Sequence, residues 1–121
     1  MKLEVLKKIP EAKSNKAPLL FVHGGLHGAW CWQDKFLPYF SSNGFPSYAL
    51  SLRGHGNSDG GDRLDSFSFS DYLEDILKVI LSLKEKPILI GHSMGGAITQ
   101  KVLHFHPAQI KAVVLMASIG G

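Results

Sequence analysis

From Pro18 onward the chain alternates short apolar runs with helix-compatible segments, and glycine-rich loops follow most of the runs. The runs are Pro18 to Val22, Pro46 to Leu52, Pro87 to Ile90 and Ile110 to Ala117. Their hydrophobicity is largely continuous rather than alternating, which is the pattern of strands covered on both faces in a parallel sheet. Gln33 to Asn43, Ser70 to Leu83 and Ser93 to His106 read as the intervening helices. Pro38 is expected to shorten or bend the first, and Gly44 to stop it. In the second, Leu73, Ile76, Leu77, Ile80 and Leu83 recur at helical spacing, and Ser68 followed by Asp71 is a capping-box pattern. Strand and helix in strict alternation imply right-handed crossovers. The expected fold class is therefore α/β, a three-layer αβα sandwich with a mostly parallel sheet. Leu3 to Ile9 is read as a short edge strand, Pro10 to Ala17 as a polar turn, and residues 1–121 as part of a single domain.

In such sheets the reactive positions lie in loops at the carboxyl ends of strands. Here those loops are His23-Gly24-Gly25, Arg53-Gly54-His55-Gly56, Gly91-His92-Ser93-Met94-Gly95-Gly96 and the C-terminal Ser118-Ile119-Gly120-Gly121. The third fits G-x-S-x-G between an apolar strand and a helix-compatible segment. A serine there needs a tight, strained turn, so small residues must flank it. Gly91 and Gly95 remove the Cβ atoms that would collide, and Gly96 and Ala97 extend the small run. The expected result is an exposed Ser93 hydroxyl at a helix N-terminus, where the helix dipole favours a developing oxyanion. The plain alternative is a glycine-rich turn with no chemistry.

Acyl transfer also needs two donors aimed at the oxyanion. The N–H of Met94, the residue after the serine, is one candidate. The second is the N–H of Gly25 in the loop after the first apolar run, with Leu26 as the other choice. His23 is expected to brace that loop with Gly24 rather than carry protons. His92, beside Ser93, is expected to point away from it. His55 and Asp59 read as loop-shaping residues and His27 as a pocket wall. Trp30, Trp32 and Phe36 fit either a pocket wall or the core.

Other glycine-loop chemistries are excluded by the letters. Gly54-His55-Gly56 has Asp59 where a dinucleotide fingerprint needs its last glycine, and no G-K-[ST] phosphate loop occurs. No cofactor or metal is expected. Of 121 residues, 13 are Lys or Arg and 10 Asp or Glu, and the net charge of +3 is scattered rather than striped, so no nucleic-acid partner is expected. One cysteine, Cys31, permits no intrachain disulfide. No apolar stretch is long enough to span a bilayer, and the N-terminus has no signal-peptide core, so the expected address is the cytoplasm.

Taken together, HGGLHGAWCW (His23 to Trp32), RGHGNSD (Arg53 to Asp59) and GHSMGG (Gly91 to Gly96) resemble the α/β-hydrolase superfamily in order and spacing, from about Leu19 onward. The HGAWCW stretch further resembles its methylesterase and hydroxynitrile-lyase branch. The resemblance implies a serine hydrolase acting on small carboxylic esters through an acyl-enzyme on Ser93.

Members of that family place an acid and a histidine after the serine. Here Ala97 to Gly121 contains no Asp or Glu. His104 and His106 fall roughly 16–20 Å along a helix from Ser93, at about 1.5 Å per residue. The sequence therefore reads as a nucleophile and oxyanion donors without their base. Two other readings stay open: a non-catalytic binding or interaction module, and a lyase of the same fold. Either self-association along Val113 to Met116 or a complementing C-terminal segment is expected to cover that strand.

Overall fold

The computed structural model describes residues 2–25, 27–62 and 67–116. Five strands form one sheet: β1 (Val5–Lys8), β2 (Leu19–Val22), β3 (Ser47–Leu50), β4 (Ile88–His92) and β5 (Ala112–Met116). Their order is β1-β3-β2-β4-β5. β1 runs antiparallel on the edge beside β3, and the other pairings are parallel. The helices are α1 (Phe36–Ser42), α2 (Phe69–Ser82) and α3 (Met94–Phe105).

The central strands β2, β3 and β4 divide their side chains between two apolar layers, because successive residues point to opposite faces. Leu20 and Val22 join Leu50, Leu89, Ile76, Ile80, Ile98 and Val102 on the face covered by α2 and α3. Leu19 and Phe21 join Ala49, Ile90, Trp32 and Leu37 on the face covered by α1. The expected three-layer arrangement is present, with helices on both faces of a mostly parallel sheet.

Where boundaries differ from the sequence reading, local chemistry gives the reason. A 3-10 turn at Ala29–Trp32 comes first, and α1 begins only at Phe36. Pro38 thus lies in its first turn, where an N–H has no intrahelical partner to lose, and the helix, shorter than the expected Gln33 to Asn43, runs past it to Ser42. β4 runs through Gly91 to His92, past the expected end at Ile90, because both residues stay in register with Leu115 and Met116 of β5. Ser68 caps α2 with the full capping box. Ala117, the expected end of the last strand, lies outside the described residues, as does the C-terminal loop.

The chain leaves β2 toward the α1 face and leaves β4 toward the opposite face. These two strands are neighbours in the sheet. Their connections diverge at adjacent carboxyl ends, and such a switch point opens a crevice. Gly24-Gly25 and Ser93 flank it.

Candidate functional site at the β2 and β4 carboxyl ends

Ser93 occupies the turn between β4 and α3 at φ 56 and ψ −117. It is the one non-glycine residue with positive φ among the described residues. A side-chain-bearing residue held there costs about 1–3 kcal/mol, which the surrounding packing must offset. The packing is tight. A Cβ at Gly91 would lie 2.6 Å from both the Gly95 carbonyl oxygen and Thr99 Oγ1, and one at Gly95 would lie 2.5 Å from the His23 carbonyl oxygen and strike that of Val22. Gly96 differs: a Cβ there would stand 3.4 Å from the nearest atom, the carbonyl oxygen of Gly91. Ala97 is exposed. The expected small-residue run therefore matters at Gly91 and Gly95, with little demand at Gly96 and none at Ala97.

Ser93 is exposed and its side chain makes no capping hydrogen bond to the helix it precedes. Met94 opens α3, where first-turn N–H groups have no carbonyl four residues back. The loop after β2 comes against this turn. A Cβ at Gly24 would sit 3.3 Å from Ser93 Cβ, and one at Gly25 would sit 3.8 Å from Met94 Sδ. Gly25 is exposed, and among the described residues its N–H has no backbone partner. Leu26 lies outside the described residues.

His23 is fully buried, and its ring is held from both sides. The Leu52 N–H donates to Nε2 at 3.0 Å, and Nδ1 lies 2.7 Å from the Gly24 carbonyl oxygen. Since Nε2 accepts, Nδ1 carries the proton and donates, so the ring is neutral. Burial lowers its pKa to about 4, only partly offset by the Gly24 hydrogen bond. A neutral imidazole bracing a loop is the role the sequence assigned to it. His92 turns its ring toward His27 and Trp32, with centroids at 6.3 and 6.4 Å. His55 hydrogen-bonds at 3.0 Å to the Arg53 carbonyl, and the Asp59 carbonyl accepts from Gly54 N–H at 2.7 Å. Both shape the loop after β3.

The aromatic residues separate. Trp32 is buried with Phe21 and Phe36 at ring distances of 5.0 Å each. Trp30 is 56% exposed and lies 5.7 Å from the exposed His27, outside the apolar core that holds Trp32. His104 lies in the last turn of α3 and His106 just beyond it, at the end away from Ser93. Among the described residues no cluster of His, Cys, Asp and Glu could hold a metal ion. A groove of about 690 Å³, lined by Lys7, Lys16, Tyr48, Leu83 and Lys84, opens at the amino ends of β2 and β3, away from Ser93.

Some residues that hold the site carried little signal in the sequence. Asp75 is 2% exposed and accepts from the Arg53 backbone N–H at 2.8 Å, from Nη2 at 2.8 Å and from Nε at 3.0 Å. Hydrogen bonding to Asp75, against some burial, raises the Arg53 pKa. An acid inside an apolar helical stripe was the available sign. Thr99, fully buried, sets the limit on Gly91.

The profile of the alpha/beta hydrolase fold matches residues 17–120. The chain belongs to the α/β-hydrolase family. Among its curated relatives, methyl jasmonate esterase 1 of Vitis vinifera is 38% identical over 102 residues, covering 82% of this chain and 38% of that protein. Norfluorocurarine synthase 1 of Strychnos nux-vomica is 37% identical, covering 89% of this chain and 40% of that protein. Among solved structures, a monoacylglycerol lipase of Paleococcus ferrophilus superposes with a TM-score of 0.83 at 27% identity, over 99% of this chain and 45% of that one. The α/β-hydrolase chain thus spans about 40% of the length of the curated relatives. Several further relatives are named methylesterases, in keeping with the branch that the HGAWCW stretch resembles.

Proposed function

We propose that this chain carries the nucleophilic half of a serine esterase, with Ser93 attacking the carbonyl of a small carboxylic ester. The observation that carries the reading is the Ser93 backbone at φ 56, an exposed hydroxyl forced to the mouth of the crevice. The Ser93 Oγ–C bond forms as the carbonyl electrons move onto an oxyanion; that oxyanion collapses, the ester C–O bond breaks and the alcohol leaves with the proton taken from Ser93, and water then releases the acid. Gly25 and Met94 N–H groups face the oxyanion, a contribution worth about 2.7–4 kcal/mol per donor. His23, Gly24, Gly91 and Gly95 hold the geometry and His92 packs beside it. The names of the methylesterase relatives favour a methyl ester.

The serine proton needs an acceptor, and Ser93 Oγ has no hydrogen-bond partner among the described residues. The base is therefore assigned to a segment or copy outside them. Among the described residues no helix is long and apolar enough to cross a membrane. The cytoplasm remains the proposed address.

A non-catalytic interaction module is the second reading. Val114 and Leu115 on β5, 47% and 49% exposed, favour it.

Labelling with a fluorophosphonate, with and without the C-terminal portion of a methylesterase relative, tests the first reading. Labelling that rises on supplementation and vanishes in Ser93→Ala is expected. Equal labelling of the variant, or none in either arm from folded protein, overturns it.

A further inference from the structure

The loop facing Ser93 is clamped at both ends by consecutive residues that follow β3. At its start, His23 Nε2 takes the Leu52 N–H. At its end, the Ala29 N–H donates to Ser51 Oγ at 2.9 Å, and both residues are fully buried. A hydroxyl has one proton to give, and committing that proton elsewhere fixes the rotor with a lone pair on Ala29. The proton is committed to Glu4 Oε1, at 2.7 Å.

We propose that Glu4 is a positioning residue for the end of the loop that follows His23, acting through Ser51 on Ala29. The proposal rests on the reading that this loop serves the oxyanion formed at Ser93.

Glu4 is itself fixed at nearly every polar atom. Asn57 donates its N–H to Oε1 at 3.1 Å and its Nδ2 to Oε2 at 2.9 Å. The Glu4 carbonyl accepts from Ser51 N–H at 2.9 Å. Its own N–H donates to Ser58 Oγ at 2.7 Å, and that hydroxyl donates to the Ser51 carbonyl at 2.6 Å. The network therefore joins the residue before β1 to the loops after β2 and β3. Gly56, at φ +50, closes it: a Cβ there would strike Ser51 Oγ and lie 2.6 Å from Glu4 Oε1. Burial alone would raise the Glu4 pKa, but hydrogen bonds from Ser51 and Asn57 outweigh it and hold it below the carboxylate range. The acceptor is thus ionised at neutral pH, and a charge-assisted bond fixes a rotor more firmly than a neutral one. A bare structural tether would need only the backbone bonds of the strand. The side chain adds control over one hydroxyl proton, and through it over one loop amide.

Hydrogen exchange of individual amides, with fluorophosphonate labelling of Ser93 alongside, tests this in the full chain carrying Glu4→Ala or Glu4→Gln. Losing a charged hydrogen bond opens the loop amides about tenfold or more. In Glu4→Ala, faster exchange at Ala29 and its loop neighbours is expected, with Ile76 and Ile80 of α2 unchanged, and labelling slowed in step. Glu4→Gln, whose amide oxygen still accepts from Ser51, is expected to restore most of both. Unchanged loop exchange overturns the proposal. So does a uniform rise that includes α2, which marks general destabilisation, and so does a Gln variant that matches Ala. If the wild-type chain is not labelled even when supplemented with the C-terminal portion of a methylesterase relative, the esterase reading fails while the exchange arm still decides the role of Glu4.

Discussion

At the scale of single residues, the turn at Ser93 depends on what its neighbours lack. Gly95→Ala would drive a methyl group into the backbone carbonyls of Val22 and His23, which cannot swing aside. Overpacking of this kind costs about 1–3 kcal/mol. Gly96→Ala meets ordinary contacts, and its better helix propensity is worth about 0.5–1 kcal/mol. Urea denaturation of the two variants should therefore separate them clearly, with Gly95→Ala lower and Gly96→Ala near or above wild type. Equal midpoints would show that β2 does not press on the first turn of α3. His23 provides a second residue-scale expectation. Its folded pKa near 4 lies below the unfolded value of 6.5, so unfolding takes up a proton between those values. Stability is then fully present above about pH 6.5 and falls by about 3 kcal/mol as pH drops toward 4. Glu4, whose unfolded value is 4.5, and Asp71, at 3.8, lose their contributions only further down, which leaves the upper part of the window to His23. Urea midpoints at pH 7 and pH 5 should differ in the wild type and converge in His23→Gln.

Among the elements, α2 shows how a readable pattern still misplaces a face. The spacing of Leu73, Ile76, Leu77, Ile80 and Leu83 named a helix correctly, yet the buried row is Tyr72, Asp75, Ile76, Val79 and Ile80. Leu73 and Leu77 only border the core. The stripe is turned because Asp75 must face inward to reach Arg53, and hydropathy alone gives a buried acid no place. Two substitutions rank the forces on this helix. Ser68→Ala removes an exposed cap, which typically costs about 1 kcal/mol. Asp75→Ala leaves a largely buried guanidinium and the Arg53 N–H without their acceptor, for which about 3–5 kcal/mol is typical. Thermal melts should place Asp75→Ala well below Ser68→Ala. The reverse order would mean that the Arg53 loop is held by Asp71 and Glu74 instead.

For the molecule as a whole, the two sheet edges are treated differently. β1 closes one edge in antiparallel register with β3 and carries lysines at positions 7 and 8. Among the described residues β5 pairs with β4 alone, and Val114 and Leu115 remain about half exposed. Apolar edges of this kind invite pairing. Sedimentation should show concentration-dependent association of the isolated chain, reduced by Val114→Lys; a monomer at all concentrations would contradict this. The sequence by itself determined the alternation of strands and helices, the mostly parallel sheet and the serine turn, because continuous apolar runs, helical spacing and flanking glycines are local constraints. Only the tertiary structure decided that Glu4, Ser51 and Asp75 hold the loops around Ser93 and that Trp32 is core while Trp30 is open. Those choices depend on which hydroxyl, carboxylate or ring meets which partner across the sheet, and no spacing along the chain records that meeting.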